Sequence, residues 1–592
     1  MRNVNVNYAA AGSRYGSGQP RISSLIQNVA RHTHTEESAL NRRTFLYDSA
    51  LGIAAVAFPG TRQALAIPLP AAPGHLATPT ADQLAWQQME FGMFVHIAPN
   101  TWQNREYDDL STPLSEINPD IDTDNWAQCA VNLGARYVVF VAKHAGGFCW
   151  WQTKTTPYSV SHIPWENGHG DVLRNLRKSC DKYGLKLGVY VSPRDGYHGA
   201  STGGVCKTPE KQKAYDAIYR EQLTEVLSRY GTMVEIWFDG SIVVPVADIL
   251  ARYAPHAAIF QGPEATIRWV GNEDGFAPYP CWDAIPQAEA STGVATSSFS
   301  TPHGNVWMPI EADVSIRRPD WFWSTTNLKD LMTLDQLLEV YYRSIGRGVQ
   351  LLLNVPPATT GHMDPHDFAR AKEFGDEIRR RFGKSVGEVS GSGRTVTLHF
   401  PHPQRVDHVI LQEDCRFGQR VESYRVEGLS DGKWSTLATG SSIGFKRIQP
   451  LTPATVHALR LVVASALESP HLLRFAAYNT HAAPPAGWDA HSQIWAPTPA
   501  GHWNGTTFHI DLTHQITRAT QYLVHFVPQE GKVAALRDVQ LLLNGAPEPK
   551  LVQHIPNSPA SLLIDITGIG LKIELQGSVE GAAKGTVLLQ QE

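Results

Sequence analysis

Residues 137–144 read Tyr-Val-Val-Phe-Val-Ala-Lys-His, a short β-rich run that ends in two polar side chains. Seven further runs of this kind lie between Leu84 and Lys384, separated by stretches with apolar residues at i, i+3 and i+4. Such alternation is typical of βα units around a parallel sheet, and eight strands in about 300 residues predict an α/β fold, a (β/α)8 TIM-like barrel. The predicted strands are 91–97, 137–143, 185–192, 234–239, 257–261, 267–271, 306–314 and 349–355. The predicted helices include 124–133, 171–183, 209–230 and 334–345.

The pattern of the chain changes at Gly387. A charged helix over 365–382 closes the barrel, which we bound at 76–384, and period-2 alternation follows. Strands joined by turn signals, with no helices between them, predict an antiparallel β-sandwich over 387–480. A Pro- and Ala-rich linker then leads to a second small β-rich domain over 500–592. Two roles stay open for the tryptophans of this region, sugar binding or packing of the domain junction: Trp488, Trp495 and Trp503.

Composition narrows the class of protein. The length of 592 residues is about four times the ~150-residue domain size, and 42% apolar with 18% charged residues is typical of a globular chain. A net charge of −5 argues against a nucleic-acid partner, which calls for a basic excess. The six cysteines have no CxxC pair and no zinc-site spacing, so we expect buried thiols rather than a disulfide framework. The sequence does not predict an oligomeric state.

The amino-terminal residues 1–66 have the features of an export leader. Arg42-Arg43 precedes a short apolar stretch and then Ala64-Leu-Ala66, the order of a bacterial twin-arginine (Tat) signal peptide. The apolar stretch is much shorter than the roughly 20 residues that span a bilayer, so no membrane span is predicted. We expect a periplasmic or secreted protein whose mature chain begins near Ile67; a disordered tail with a chance Arg-Arg pair is the alternative.

Polar residues follow five of the predicted strands. Because the βα loops of a barrel build one face, catalytic groups are expected at the carboxyl ends of the strands. The polar strand ends are His96, Lys143-His144, Ser192-Pro-Arg-Asp195, Asp239 and Asn272-Glu273. Six tryptophans on neighbouring segments suggest a polar pocket walled by aromatic rings: Trp150, Trp151, Trp237, Trp269, Trp307 and Trp321. We interpret 272–305, rich in Gly, Pro, Ser and Thr, as long loops on the catalytic face.

Two carboxylates are the central candidates. Asp239 emerges from the apolar run Glu235-Ile-Trp-Phe238 and is followed by Gly240, which allows close approach of a substrate. An aspartate at a strand end is alternatively a cap for the next helix. Glycoside hydrolysis requires a second carboxyl group across the scissile bond, and Glu273 is the obvious partner.

Several motifs resemble those of the glycoside hydrolase family 29 α-L-fucosidases. Phe91-Gly-Met-Phe-Val-His96 resembles the family's F-G-x-F-x-H, Ala142-Lys-His144 with Gly147-Phe-Cys-Trp150 resembles A-K-H-x-x-G-F-C-x-W, and Glu235-Ile-Trp-Phe-Asp-Gly240 resembles its W-x-D-G nucleophile strand. Arg268-Trp-Val-Gly-Asn-Glu-Asp-Gly275 and Trp307-Met-Pro-Ile-Glu-Ala-Asp-Val-Ser-Ile-Arg317 are most similar to the branch that prefers α-1,3/1,4-linked fucose.

The resemblance implies a retaining α-L-fucosidase acting on fucosylated oligosaccharides. It implies Asp239 as nucleophile and Glu273 as general acid/base, without cofactor or metal. It also implies six fucose contacts: His96, Glu106, His144, Trp237, Arg268 and Trp321. Glu264 and Glu311 are the fallback acids. Two rival readings stay open, a fucose-binding barrel protein without turnover and a glycosidase for another sugar such as a galactoside.

Overall fold

A computed structural model describes residues 70–72, 74–490, 498–516, 521–554, 559–566 and 571–591. The predicted leader, with Arg42, Arg43 and the cleavage site near Ile67, lies outside the described residues. Within the described ranges, no helix is both long and apolar enough to span a bilayer.

Eight parallel strands form the predicted barrel, so the TIM-like fold is confirmed. Their order is β5-β4-β3-β2-β1-β10-β9-β6, and a parallel bridge between Phe260 and Ile267 connects β5 to β6. At this closure the Ile259 carbonyl accepts a hydrogen bond from the Thr266 N–H at 3.0 Å. The first ten strands of the chain are β1 Phe91–Val95, β2 Tyr137–Lys143, β3 Lys186–Val191, β4 Glu235–Trp237, β5 Ala258–Phe260, β6 Arg268–Trp269, β7 Ala284–Ile285, β8 Val306–Trp307, β9 Ile310–Ser315 and β10 Gln350–Asn354.

One predicted strand is wrong. The run 306–314 divides into β8, which pairs antiparallel with β7 outside the barrel, and β9, which pairs with β10 and β6 inside it. Pro309 lies at the break, and a proline has no N–H to donate to a sheet ladder. The Pro309 carbonyl instead accepts from the Arg268 N–H at 3.0 Å.

The barrel helices begin and end at residues that cap them. The side chain of Asp122 accepts from the backbone N–H of Asn125 at the start of α2, and Gly134 ends that helix with a φ of +93°. Asp171 and Gly184 do the same for α3. The helices are α1 Ala81–Gln87, α2 Thr123–Leu133, α3 Val172–Tyr183, α4 Pro209–Arg229, α5 Ala247–Tyr253, α6 Gln287–Ala290, α7 Leu334–Arg343 and α8 Pro365–Phe382.

The sequence predicts long loops on the catalytic face for residues 272–305. Glu273 does line the cavity, but the segment 276–305 does not. It packs against α1 and the first β domain: Gln87 on α1 donates to Asp283 at 3.0 Å, and Gln419 donates to the Cys281 carbonyl at 2.7 Å. The segment fills the wall beside β6, which is only two residues long and leaves a gap there.

Two β domains follow the barrel. The first is a six-stranded antiparallel sheet of order β11-β16-β12-β15-β13-β14. Its long strands β12 and β15 run through both halves of the sandwich, with a register shift between His399 and Gln404. Its strands are β11 Gly387–Ser392, β12 Thr395–Glu413, β13 Val421–Ser430, β14 Lys433–Gly440, β15 Arg447–Ala466 and β16 His471–Tyr478.

The last β-rich region has two sheets and a hydrophobic core of its own. Trp503 lies in that core, while the Trp488 ring packs against the main hydrophobic core, with the Arg447 guanidinium 5.6 Å from its centre. For these two tryptophans the structure therefore favours packing over sugar binding; Trp495 lies outside the described residues. The strands are β17 Thr498–Asn504, β18 Thr507–Asp511, β19 Gln521–Pro528, β20 Ala535–Leu543, β21 Ala546–Pro547, β22 Val552–His554, β23 Ser561–Asp565, β24 Ile573–Glu580 and β25 Lys584–Gln591.

Candidate active site

A cavity of about 120 Å³ lies at the carboxyl ends of the barrel strands. This is smaller than the roughly 300–1,000 Å³ of typical ligand pockets and suits one small ligand. Seven of the eight site residues chosen from the sequence line it; Arg268 does not. The lining residues are Phe94, His96, Glu106, Tyr107, His144, Ala145, Tyr190, Ser192, Arg194, Thr202, Trp237, Asp239, Gly240, Glu273, Asp313 and Trp321.

Some of the polar residues at the ends of β2 and β3 face the cavity and others point away from it. Successive side chains point to opposite faces of a strand, so His144 lines the cavity while Lys143 points away from it. Lys143 is fully buried, 3.0 Å from Asp195, and also donates to Tyr215 and Gln222. Lys143 and Asp195, both polar strand ends in the sequence, thus form a structural ion pair outside the cavity.

Asp239 lies just beyond β4 and lines the cavity wall. Its Oδ2 accepts a hydrogen bond from the Tyr190 hydroxyl at 2.9 Å. Burial raises the pKa of Asp239, while the Tyr190 hydrogen bond and the positive charge of Arg194 act in the opposite direction. Gly240 next to it has a φ of +71°, and a Cβ at that position would collide with the methyl group of Thr202.

Glu273 lies in the loop after β6 and faces the same cavity as Asp239. Its Oε1 accepts from Trp321 Nε1 at 3.3 Å, and its Oε2 is 3.0 Å from Arg318. The side chain keeps 31% of its surface exposed at the cavity mouth. Enclosure by the cavity walls raises the pKa of Glu273, the neighbouring Asp239 adds to this shift, and Arg318 and Trp321 oppose it.

Glu106 lines the cavity from the loop after β1. Its Oε2 accepts the backbone N–H of Trp321 at 3.1 Å, so the two cavity residues position each other. Burial, together with the negative charge of Glu273, raises the pKa of Glu106 to about 8. This shift favours the protonated form of the Glu106 carboxyl.

The hydrogen-bond network fixes the tautomer of His96. Asn354 donates from Nδ2 to the Trp321 carbonyl at 2.8 Å, so its Oδ1 faces His96 Nδ1 at 2.8 Å and that nitrogen must carry the proton. Burial lowers the pKa of His96 to about 3, which keeps the ring neutral and leaves Nε2 as an acceptor. Burial also lowers the pKa of His144, whose Nδ1 has no partner among the described residues.

Trp237 presents its ring rather than its N–H to the cavity. The indole stacks on Phe260 with ring centres 3.6 Å apart. Its Nε1 points away from the cavity, donating to Glu235 at 2.7 Å and to Glu311 at 2.9 Å. The fallback acid Glu311 therefore lies beneath the cavity, and Glu264 does not line it either. Of the three general-acid candidates Glu273, Glu264 and Glu311, it is Glu273 that lines the cavity.

The prediction that Arg268 contacts the sugar is wrong. Only 1% of the residue is exposed, and its guanidinium donates to the carbonyls of Met308, Thr296 and Trp282 at 2.5–2.9 Å. The Trp282 and Thr296 carbonyls belong to the segment 276–305, and Met308 directly follows β8. Arg268 therefore anchors the barrel wall and does not reach the cavity.

Only two of the six expected tryptophans wall the cavity, Trp237 and Trp321. The others lie in the core with their N–H groups bonded: Trp150 donates to the Ile97 carbonyl at 2.6 Å and Trp151 to Glu225 at 2.9 Å. Trp307 donates to Gln87 at 3.1 Å, and Trp269 donates to Asp313 at 2.6 Å.

Sequence reasoning missed three prominent lining residues, Tyr107, Tyr190 and Asp313, whereas Arg194 lies within the predicted polar strand end 192–195. The alternation of side chains along a strand could have identified Tyr190, because it is two residues before Ser192 and so lies on the same face of β3. Asp313 follows Glu311 at the same spacing, but the mistaken strand 306–314 hid its position. Within the described ranges, no group of three or more His, Cys, Asp or Glu side chains is arranged to hold a metal ion.

This chain is similar in sequence and in structure to known α-L-fucosidases. Residues 85–381 match the family model described as Alpha-L-fucosidase. Alpha-L-fucosidase 1 of Arabidopsis thaliana is 30% identical over 446 residues, 67% of this chain and 86% of that protein. A solved Bacteroides thetaiotaomicron structure is 31% identical with a TM-score of 0.63, over 68% of this chain and 100% of that one. A glycoside hydrolase 29 family member from an unknown rumen bacterium is 26% identical with a TM-score of 0.62, over 88% of this chain and 100% of that one.

Proposed function

The chain belongs to the α-L-fucosidase family of glycoside hydrolases, and from this premise we propose that it releases terminal α-1,3- or α-1,4-linked L-fucose with retention of configuration. The observation that carries the proposal is the pair of carboxyl groups, Asp239 and Glu273, on one monosaccharide-sized cavity. Each is held by its own partners, Tyr190 for Asp239 and Trp321 with Arg318 for Glu273.

In the first step an Asp239 oxygen attacks the anomeric carbon of fucose, and the bond from that carbon to the glycosidic oxygen breaks. Glu273 gives its proton to the departing oxygen. The environments suit these roles: Tyr190 and Arg194 favour the ionised form of Asp239, while enclosure and the Asp239 charge favour the protonated form of Glu273.

In the second step Glu273, now a carboxylate, takes a proton from water. The water oxygen attacks the anomeric carbon and the bond to Asp239 breaks, which frees fucose and restores both groups. Two inversions at the same carbon give net retention. Neither step requires a metal or an organic cofactor, because a proton activates the leaving group and a carboxylate stabilises the developing positive charge.

The remaining lining residues fit a neutral sugar with an apolar side. His96 offers an acceptor nitrogen for a hydroxyl group, and His144 Nδ1 is a buried polar atom without a protein partner. The ring of Trp237 provides an apolar surface of the kind on which sugar C–H groups pack. Glu106 and Trp321, which bond to each other, complete the proposed set of fucose contacts.

The linkage preference rests on the motifs around Glu273 and Asp313 and on the cavity rim. Tyr107 lines the cavity yet is 57% exposed, and the Arg194 guanidinium lies 5.4 Å above its ring. An exposed, braced aromatic ring at the mouth is placed to contact the sugar that carries the fucose. Binding energy from that sugar can accelerate cleavage of the fucosyl bond.

A panel of 4-nitrophenyl glycosides tests the activity. We expect release from the α-L-fucoside and little from galactosides, with the α-anomer of fucose as the first product detected by NMR. Binding of fucose without turnover would favour the binding-protein alternative, and faster release from a galactoside would favour another sugar. Initial appearance of the β-anomer would contradict retention.

The linkage is tested separately with a Lewis-type trisaccharide and a 1,2-linked fucosyllactose. We expect a higher kcat/KM for the trisaccharide. Faster release from the 1,2-linked substrate would reject the linkage proposal and leave the α-L-fucosidase assignment intact.

We further propose that the protein is exported through the twin-arginine pathway to the periplasm or the medium. Support comes from the sequence alone, from Arg42-Arg43, the short apolar stretch and Ala64-Leu-Ala66.

A further inference from the structure

The interior of the barrel holds more acidic side chains than the proposed reaction uses. Glu106, Asp239, Glu273 and Asp313 line the cavity, and Glu235 with Glu311 lies beneath it, around the indole N–H of Trp237. The positively charged groups that face these acids are Arg194, on the cavity wall, and Arg318, at Glu273. Glu235, Glu311 and Asp313 are buried, while Glu106, Asp239 and Glu273 keep contact with the cavity. Ionising all six carboxyl groups beside two arginines would be very costly, so several of these groups must keep their protons.

Asp313 has a defined place among these acids. It lies on β9 at an inward position, two residues after Glu311 and two before Ser315, whose Oγ accepts from Asn354 at 3.0 Å. Asp313 is 5% exposed, and its Oδ1 accepts from Trp269 Nε1 at 2.6 Å. Because Trp269 occupies Oδ1 and the residue lines the cavity, Oδ2 is the oxygen left for a ligand.

We propose that Asp313 is a further substrate-binding residue that works as a neutral carboxylic acid, donating a hydrogen bond from Oδ2 to a hydroxyl oxygen of the bound sugar. This inference deepens the proposed fucosidase function and rests on it. Asp313 takes no part in bond breaking, since Asp239 and Glu273 account for both proton transfer and nucleophilic attack.

The surroundings of Asp313 favour its protonated form. Burial, with the nearby Glu273 and Asp239 carboxyl groups, raises the pKa of Asp313 to about 8, and only the Trp269 hydrogen bond and the backbone oppose it. The titratable and charged groups around the cavity come from every neighbouring element: His96, Glu106, Tyr107, His144, Tyr190, Arg194, Glu235, Asp239, Glu273, Glu311 and Arg318.

A proton on Asp313 also favours the ionised form of the nucleophile Asp239. An ionised Asp313 would add a negative charge beside Asp239 and raise the pKa of Asp239 further, which would disfavour the carboxylate that attacks. The neutral acid removes that repulsion and still provides a hydrogen-bond donor, which a carboxylate does not.

The matched variants Asp313→Asn and Asp313→Ala test the role as a donor. The asparagine amide keeps an acceptor for Trp269 and a donor for the sugar, whereas alanine keeps neither. With L-fucose as the calorimetric probe at pH 6, we expect the affinity of D313N to fall less than about threefold and that of D313A to fall about tenfold. Equal losses in the two variants with unchanged melting temperatures, or no loss in D313A, would overturn the proposal.

Infrared spectroscopy of the ligand-free protein tests the protonation state directly. The difference between wild-type and D313N spectra at pH 6 should contain the carbonyl band of a protonated carboxyl group, and this band should disappear as the pH rises through about 8. A carboxylate band in its place at pH 6 would overturn the proposal. This measurement needs no sugar, so it remains decisive if wild type binds no fucose, a result that would count against the proposed function instead.

Discussion

Asp239 is the residue on which the proposed reaction depends most. Replacing it with glycine removes the attacking oxygen but no core contact, so we expect kcat on an aryl fucoside to fall about 10⁴-fold with little change in melting temperature. Added azide should restore part of the rate because the vacated space admits a small nucleophile. Asp313→Gly, which removes a neighbouring carboxyl group from the same cavity, is the control and should not respond to azide. Near-wild-type turnover by D239G would refute the assignment.

Tyr190 gives a pH-dependent prediction. Its hydroxyl donates to Asp239 Oδ2 at 2.9 Å, which stabilises the ionised form and lowers the pKa of Asp239. Removing the donor in Tyr190→Phe must therefore raise that pKa. Since the acid limb of kcat/KM reports ionisation of the nucleophile in the free enzyme, we expect this limb to move to higher pH.

The profile is measured on an aryl fucoside, with Tyr219→Phe as the control. Tyr219 donates to the Val191 carbonyl rather than to a cavity residue. An acid limb that stays in place in Y190F, or that moves equally in Y219F, would show that the Tyr190 hydrogen bond does not tune Asp239. His96 does not contribute a limb near neutral pH, because burial lowers its pKa to about 3.

At the scale of the elements, Arg268 connects β6 to the segment beside it. Arg268→Met leaves the carbonyls of Trp282, Thr296 and Met308 without their buried donor. We expect the free energy of unfolding to fall by about 3–5 kcal/mol, measured in urea, while KM of the folded fraction changes less than about threefold. A sugar contact would behave in the opposite way, with a raised KM and unchanged stability.

The same elements show which parts of the fold the sequence could predict. Strands β1 to β3 are largely apolar runs that end at a polar residue or directly before one, and this local pattern is sufficient to find them and to select His96 and His144 as candidates. Asp239 followed from the same rule at β4. These features are local, since a strand and the residue after it are adjacent in the chain.

The region 268–315 could not be predicted in this way. There β6 has two residues, and Arg268 at its start donates to carbonyls between Trp282 and Met308, 14 to 40 positions away in sequence. No periodicity encodes such contacts, so Arg268 was assigned to the sugar and Asp313 was overlooked. Trp150 and Trp151 were misassigned for a related reason, because composition does not reveal which face of the wall a ring occupies.

At the scale of the whole molecule, the export proposal concerns residues outside the described structure. Replacing Arg42 and Arg43 by lysine keeps the charge but removes the twin-arginine signal. We expect unprocessed, longer protein in the cytoplasm of a bacterial host, detected by fractionation and mass spectrometry. An Arg21→Lys and Arg31→Lys double variant, outside the motif, controls for loss of arginine as such. Normal processing of the R42K/R43K variant would reject the proposal.

The connection between the barrel and the last β-rich region runs through residues 479–490. Arg347 donates to the carbonyls of Trp488 and Ala490 at 2.9 and 2.8 Å, and Arg381 donates to the Ala483 carbonyl at 3.0 Å. Arg380 donates to the Thr480 carbonyl at 2.7 Å. Apolar residues of the described ranges between Ala500 and Leu589 instead form a separate hydrophobic core.

Two truncations therefore have different expected outcomes. A stop after Ser492 removes the last core and keeps every acceptor of the three arginines, so activity on an aryl fucoside should stay within about twofold of the full chain. A stop after Tyr478 removes these carbonyls from the buried Arg347 and Arg381 and from the exposed Arg380. The melting temperature should therefore fall by a further 5–10 °C, roughly. Both are measured by thermal denaturation and initial rates at one protein concentration. If the shorter chain melted together with the longer one, the segment 479–490 would be a passive linker; if the stop after Ser492 abolished activity on the small substrate, the last β-rich region would be part of the catalytic unit.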